Sequence, residues 1–256
     1  MEIKVNAIVT RAVDYKDNDK ILTLYSLEKG KITANIKGVK KPKAKLKFAS
    51  EPFCFAEFIL AEKGGRYTVI NASYLDSFYN LRLNLNKYYL SAVVTDVINN
   101  LIEENYTDAQ LFSLVINTVK NICYNGNEKT VLAWFLYTVA EYLGYGINTL
   151  NCYDCSAIIT GRVFFRYADA SFSCQDCLVE GFAEITKDTY SALNTVALLN
   201  ANSLSSVSIA DEKVTKLLKF LFYYLSVKTD VKLKTGASLF EFLSGERNGL
   251  WRFLKI

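Results

Sequence analysis

The 256-residue sequence contains no histidine. That absence removes a Ser-His-Asp triad, a Cys-His protease, a histidine general base and any histidine-ligated catalytic metal. Proline is nearly absent, at positions 42 and 52 only. Neither GxGxxG nor GxxxxGK[ST] occurs, so no glycine-rich nucleotide loop and no nucleotide cofactor are expected. No apolar run reaches membrane-spanning length without a charge, so no membrane partner is expected. The opening residues 1–6 lack a basic segment followed by an apolar one, which predicts no secretory signal. The expected location is the cytoplasm, where thiols stay reduced.

What is present is an apolar fraction of 51 % and an aromatic fraction of 14 %, enough for a substantial core. The net charge of +4 is unevenly spread. Residues 1–80 carry 14 Lys/Arg against 9 Asp/Glu, and residues 81–256 carry 16 against 17. A basic N-terminal third on a neutral body is the asymmetry of a nucleic-acid-binding module.

Four of the six cysteines form two CxxC pairs, Cys152/Cys155 and Cys174/Cys177, eighteen residues apart. Two thiolates separated by two residues can face one ion across a tight turn. A hairpin that returns the second pair completes a tetrahedron, the pattern of a zinc ribbon or knuckle. Four thiolates leave no open position, so the expected Zn2+ is structural. Two disulfides or four unrelated thiols are the alternative. Ile158-Ile159 and residues 163–165 read as the strands of that hairpin, with residues 160–162 as its turn. Cys54 and Cys123 stand among apolar neighbours and read as small buried hydrophobes.

Along the chain, five segments carry period-2 or apolar strand patterns: 3–11, 21–26, 31–37, 53–62 and 67–72. Five short antiparallel strands in so few residues predict an OB-type Greek-key barrel. After residue 80 the period turns helical, with helices expected at 85–101, 109–122, 128–143, 186–199, 211–227 and 238–243. The predicted fold is α+β: an OB-fold nucleic-acid-binding domain over 1–80, then a helical domain over 81–256 with a zinc hairpin inserted at 150–180. Residues 246–256 read as a basic amphipathic tail or a packing segment.

Six lysines fall within residues 37–47, namely Lys37, Lys40, Lys41, Lys43, Lys45 and Lys47, with no acid among them. With Arg11 and Arg66 they are the candidate DNA contacts. Ammonium groups there would neutralise phosphates and release counterions with little sequence preference. Tyr15, Tyr25, Phe53, Phe55 and Tyr67 are candidate base-stacking platforms. The alternatives are a solvated loop and core aromatics.

Residues 19–30 (Asp-Lys-Ile-Leu-Thr-Leu-Tyr-Ser-Leu-Glu-Lys-Gly), then Ile36-Lys37-Gly38 and the lysine run, resemble the opening of the RecO family of bacterial DNA repair proteins. That family shows an ILTLFT-x-E-x-G strand and hairpin, then A-K-G and a basic segment. Here Tyr25-Ser26 stand for Phe-Thr, and Ile36 for Ala. The central helices and the four-cysteine hairpin also sit where many members have them, and the resemblance spans 1–243. It implies a recombinational repair mediator rather than an enzyme, cytoplasmic and nucleoid-associated. Such proteins bind single- and double-stranded DNA and anneal complementary strands. With RecR they load RecA onto DNA coated by single-strand-binding protein (SSB), whose acidic, Phe-ending tail they contact. For that tail, the helix at 211–227 offers Lys213, Lys216 and Lys219 beside Leu217 and Leu221, although an ordinary amphipathic helix looks the same. A zinc-ribbon scaffold or nucleic-acid-modifying protein of another family is the rival reading.

Overall fold

The structure is a computed structural model that describes residues 1–147 and 150–244. The reading of residues 246–256 as a tail lies outside the described residues. The chain divides into two compact units, Met1–Tyr124 and Asn125–Ile256.

In the first unit, β1 (Glu2–Tyr15), β2 (Asp19–Ser26), β3 (Gly30–Ile36), β4 (Phe55–Lys63) and β5 (Arg66–Asp76) close into a barrel of order β1-β2-β3-β5-β4. Neighbours are antiparallel except β3 and β5, and β4 returns to β1. This is the OB-type barrel that the strand patterns predicted. Alternation accounts for its interior: Ile32, Ala34 and Ile36 of β3 point inward, with Lys31, Thr33 and Asn35 between them on the other face. Leu22, Leu24, Val5, Val9, Phe58 and Leu60 complete a core whose side chains are almost wholly removed from water. A bulge between Val9 and Arg11 bends the long first strand so that it can pair on both sides.

Three helices belong to the same unit: α1 (Asn80–Leu83), α2 (Leu85–Leu101) and α3 (Ala109–Tyr124). Asn84 caps α2 by accepting from the Lys87 N–H at 3.2 Å, and Asp108 accepts from Gln110 and Leu111 at 2.8 Å to open α3. Lys31 reaches from β3 to the C-terminal end of α2, donating to the Asn99 and Ile102 carbonyls at 2.8 and 2.5 Å. A cation there complements the helix dipole. Desolvation nonetheless lowers its pKa, with Glu104 opposing. The change of period at residue 80 and the division into compact units at 124/125 are therefore different boundaries, because these helices pack with the barrel.

Gly30 shows how closely the chain passes itself. Its φ is +64°, and a Cβ there would stand 2.1 Å from the Tyr106 carbonyl oxygen. Gly30→Ala is expected to cost about 3 kcal/mol, the upper end of overpacking penalties, because backbone must move. Chemical denaturation would measure it, and a variant as stable as the parent would show that the approach of residues 105–106 is not rigid.

The second unit gathers α4 (Glu128–Tyr142), α5 (Lys187–Ala197), α6 (Asp211–Thr229) and α7 (Lys234–Ser244) with a three-stranded antiparallel sheet. Its strands are β6 (Val163–Arg166), β7 (Ser171–Ser173) and β8 (Ala183–Ile185), in the order β7-β6-β8. Phe165 is fully buried at its centre, with ring centroids 4.8 Å from Phe172, 5.0 Å from Phe220 and 5.8 Å from Tyr224. Phe165 thus locks the sheet onto α6, and Phe172, 5.4 Å from the Tyr190 ring, packs it on α5. The hairpin differs from the sequence expectation. Residues 158–159 form no strand, Ile158 is 76 % exposed, and residues 160–162 are not the turn. The chain instead turns at 167–170, where Arg166 and Asp169 pair across the loop and Ala170 takes φ 58°. The inward pull of Phe165 and Phe172 sets this register, and among the described residues Ile158 has no strand partner. Among the described residues, no helix is long and apolar enough to cross a membrane.

Candidate metal centre and nucleic-acid interface

The sheet presents the four cysteines. Cys174 follows β7 directly, and Cys152 bridges to Phe172 of that strand, so both CxxC turns start from one edge. The first turn is closed by Ser156 N–H donating to the Cys152 carbonyl at 2.9 Å and by Cys152 N–H donating to Ala157 at 3.0 Å. Ser156 takes φ 58°, the left-handed conformation that lets the chain leave so tight a knuckle. All four Sγ atoms lie within 4.8 Å of one another, and Cys155 and Cys174 are 4.0 Å apart. A tetrahedron with Zn–S near 2.3 Å has sulfur edges of about 3.8 Å, so the thiols need only small movements to close on an ion. The donor set is all sulfur, which suits a soft or borderline cation.

The electrostatics agree with a thiolate site. Burial alone would raise the Cys152 thiol, but N–H groups of Cys155, Cys174 and Asp154 aim at its sulfur and bring it down to about 6. Cys177 moves the other way, up to about 12, chiefly through its thiol neighbours Cys174 and Cys155. One negative sulfur is accommodated by backbone N–H groups, and further ones call for a cation. The group can therefore hold a metal ion, with Cys152 buried and Cys155 facing solvent. Cys54 and Cys123 stand apart, both buried, and burial pushes the Cys54 thiol up to about 12. They behave as the small hydrophobes expected.

The lysine run forms the connection between β3 and β4. It descends through successive three-residue turns, with Lys41 N–H donating to Gly38, Ala44 to Lys41 and Lys47 to Ala44. Val39, Leu46 and Ala49 turn into the barrel core, the last on a short 3-10 helix at Lys47–Ser50. The spacing leaves Lys37, Lys40, Lys41, Lys43, Lys45 and Lys47 exposed. Gly38 anchors the start, with φ +64° and its N–H on the Asp19 carboxylate at 2.8 Å. The acid-free run is not acid-free in space: Asp14 pairs with Lys40 at 2.7 Å, and this hydrogen bond holds the Asp14 carboxyl below its ordinary value. Arg11, opposite Thr23 in β1, and Arg66, at the β4–β5 turn, are also exposed but belong to other parts of the barrel.

Most of the aromatics suggested as stacking platforms serve packing instead. Tyr25 and Phe53 are 1 % and 3 % exposed, and Phe55 and Tyr25 lie against Phe112 of α3. Tyr67 packs on the barrel core. Only Tyr15 among the five is well exposed, at 40 %, with Lys16 over its ring. A different pair escaped sequence reasoning, Phe48 of the 3-10 helix and Tyr74 of β5, with centroids 4.0 Å apart. Sequence separation hid them, and exposure of a strand aromatic carries no periodic signal.

The suggested peptide surface on α6 needs correction. Leu217 and Leu221 are both fully buried, so the ridge they form faces the core and not a ligand. Lys216 is held by Asp188 and Glu212, each at 2.8 Å, and Lys213 lies 3.7 Å from Asp188. Helical spacing identified one face correctly but could not say that other elements cover it. Lys216 and Lys219 do line a cleft of about 550 Å³ with Lys129 of α4 and Phe240 and Leu243 of α7. Lys219 stands over the Phe240 ring at 5.9 Å.

Comparison with known proteins addresses the whole chain. The family model for the recombination protein O N terminal matches residues 1–78, and that for the recombination protein O C terminal matches residues 82–237. DNA repair protein RecO of Acetivibrio thermocellus is 26 % identical over 231 residues, covering 89 % of this chain and 92 % of the relative. That of Desulforamulus reducens is 27 % identical over 235 residues, covering 91 % of each. That of Clostridium perfringens is 27 % identical over 230 residues, covering 88 % of this chain and 92 % of the relative. These matches set aside the rival reading of a zinc-ribbon protein from another family. The first model ends where the barrel ends and the second runs through the helices and the cysteine hairpin, so the chain belongs to the recombination protein O family, a family of DNA repair and recombination proteins.

Proposed function

We propose that the protein is a non-covalent mediator of recombinational repair, which binds single- and double-stranded DNA and anneals complementary strands. With RecR it helps load RecA recombinase onto DNA coated by SSB, in the cytoplasm and in association with the nucleoid. The observation that carries this reading is the β3–β4 connection: three apolar residues fix it to the barrel while six lysines face solvent. A fixed cationic surface screens phosphate charge, which lowers the repulsion between two strands. Family membership supports the repair role. The test is annealing of complementary oligonucleotides with and without SSB. Annealing no faster than the spontaneous rate, by folded protein, would overturn the reading.

The cysteine group is proposed to hold structural zinc through Cys152, Cys155, Cys174 and Cys177. Bound there, the ion would supply a cross-link and no open coordination position.

The SSB tail is proposed to enter the cleft lined by Lys129, Lys216, Lys219 and Phe240. Its terminal aromatic would meet Phe240 and Leu243, and its acids would compete with Asp211 for Lys129, now paired at 2.6 Å. The Lys129→Glu/Lys219→Glu variant should bind a labelled tail peptide about tenfold more weakly by fluorescence anisotropy. Full-strength binding by that variant with its circular dichroism unchanged would move the site elsewhere.

A further inference from the structure

The barrel carries a ring pair that the phosphate-neutralising loop does not account for. Phe48 sits on the 3-10 helix that ends the lysine connection, next to Lys47, and Tyr74 comes from the end of β5. Their rings are tilted by 32° with centroids 4.0 Å apart, so one face of Tyr74 is covered. The residue is nevertheless 51 % exposed, which leaves the rest of the ring to solvent. Arg82 of α1 lies close enough to draw the Tyr74 hydroxyl's pKa down, against the dominant effect of burial and smaller ones from Cys54 and Glu51 that raise it. Arg82 is itself exposed. One side of this place is thus an aromatic surface already backed by a second ring, with Arg82 and Glu51 near the Tyr74 hydroxyl and the lysine connection ending at Phe48.

We infer that Tyr74, backed by Phe48 at the end of the lysine connection and with Arg82 nearby, is a stacking site for an unpaired nucleobase of a single-stranded nucleic acid. The physical grounds are threefold. A base needs an exposed π-face, and every base has one to offer, so the site is tolerant of sequence. Phe48 holds the Tyr74 ring in place, which reduces the conformational freedom lost on stacking. Arg82 and the exposed lysines of the connection that ends at Phe48 suit the phosphates of the strand whose base is stacked. In a duplex the bases are stacked on each other and present no free face, so the site distinguishes single strands from double strands. The inference rests on the DNA-binding reading above and adds to it the part of the nucleotide that is held.

The test compares Tyr74→Leu and Tyr74→Phe with the parent, using oligo-dT and an abasic strand of the same length. Leucine keeps apolar cover over Phe48 but has no ring, and phenylalanine keeps the ring. Tyr74→Leu should bind oligo-dT about tenfold more weakly, while Tyr74→Phe binds like the parent. On the abasic strand all three should bind alike, and the salt dependence should be the same for all three, because no phosphate contact has been removed. Thermal melting confirms that the leucine variant is folded. Equal affinity of Tyr74→Leu and parent for oligo-dT overturns the stacking site. If lysine-loop variants still lose DNA in that case, the DNA-binding reading stands without it. A loss that is equal on the abasic strand also overturns the inference, since it would report a change in the barrel rather than a missing stack.

Discussion

Replacing Lys41, Lys43 and Lys45 together by glutamate should weaken binding to single-stranded DNA by about a hundredfold or more at low salt. The slope of log affinity against log salt should fall by about 2, because each single-strand phosphate contact contributes about 0.7. All three side chains are exposed on a connection whose fixed residues, Val39, Leu46 and Ala49, are left untouched. The variant should therefore keep the barrel's stability, and the loss should be the same for every sequence tested. Lys40 provides an internal contrast. It already donates to Asp14 at 2.7 Å, so Lys40→Ala should weaken binding less than Lys43→Ala. Filter binding or anisotropy over a salt series measures both. A triple variant with the parental slope would reduce the connection to a solubilising loop.

Removal of the metal should have the largest effect on stability. Elemental analysis of protein purified without chelator is expected to find one zinc per chain. Cys174→Ser should shed it and lower the melting temperature of the second unit, by several kcal/mol in stability terms. The full apparent binding energy of a zinc-finger peptide is not expected, because Phe165 already holds the sheet against α6 and Phe172 against α5. Cys174 has a further role, since its backbone N–H approaches the Cys152 sulfur at 3.5 Å. Serine keeps that N–H and removes only the thiolate, so the measured change isolates the ligand. DNA binding through the barrel should survive, because the four cysteines belong to the other compact unit. A Cys174→Ser variant that melts at the parent's temperature, or parent protein purified without chelator that carries no metal, would sink the assignment.

Local chemistry is what the sequence determined by itself. Period-2 alternation in β3 sorts Ile32, Ala34 and Ile36 from Lys31, Thr33 and Asn35 without reference to any other strand. The CxxC turns depend on four consecutive residues each, and the six-lysine run on eleven. The helices between 85 and 229 follow from spacing along one chain, and they appear with their ends shifted by only a few residues. Tertiary structure decided everything that requires two distant segments to meet. Leu217 and Leu221 form an apolar ridge in the sequence, but only packing shows the ridge to be covered. Asp14 answers Lys40 across the barrel, and Phe48 meets Tyr74 from a separate element. The hairpin turned at 167–170 rather than 160–162 because Phe165 had to reach α6 while Phe172 reached Tyr190 of α5, a demand no local propensity contains. A period records which side of an element avoids water, but burial is conferred by whatever lies opposite. That partner is a property of the folded chain and is not written in any one of its segments.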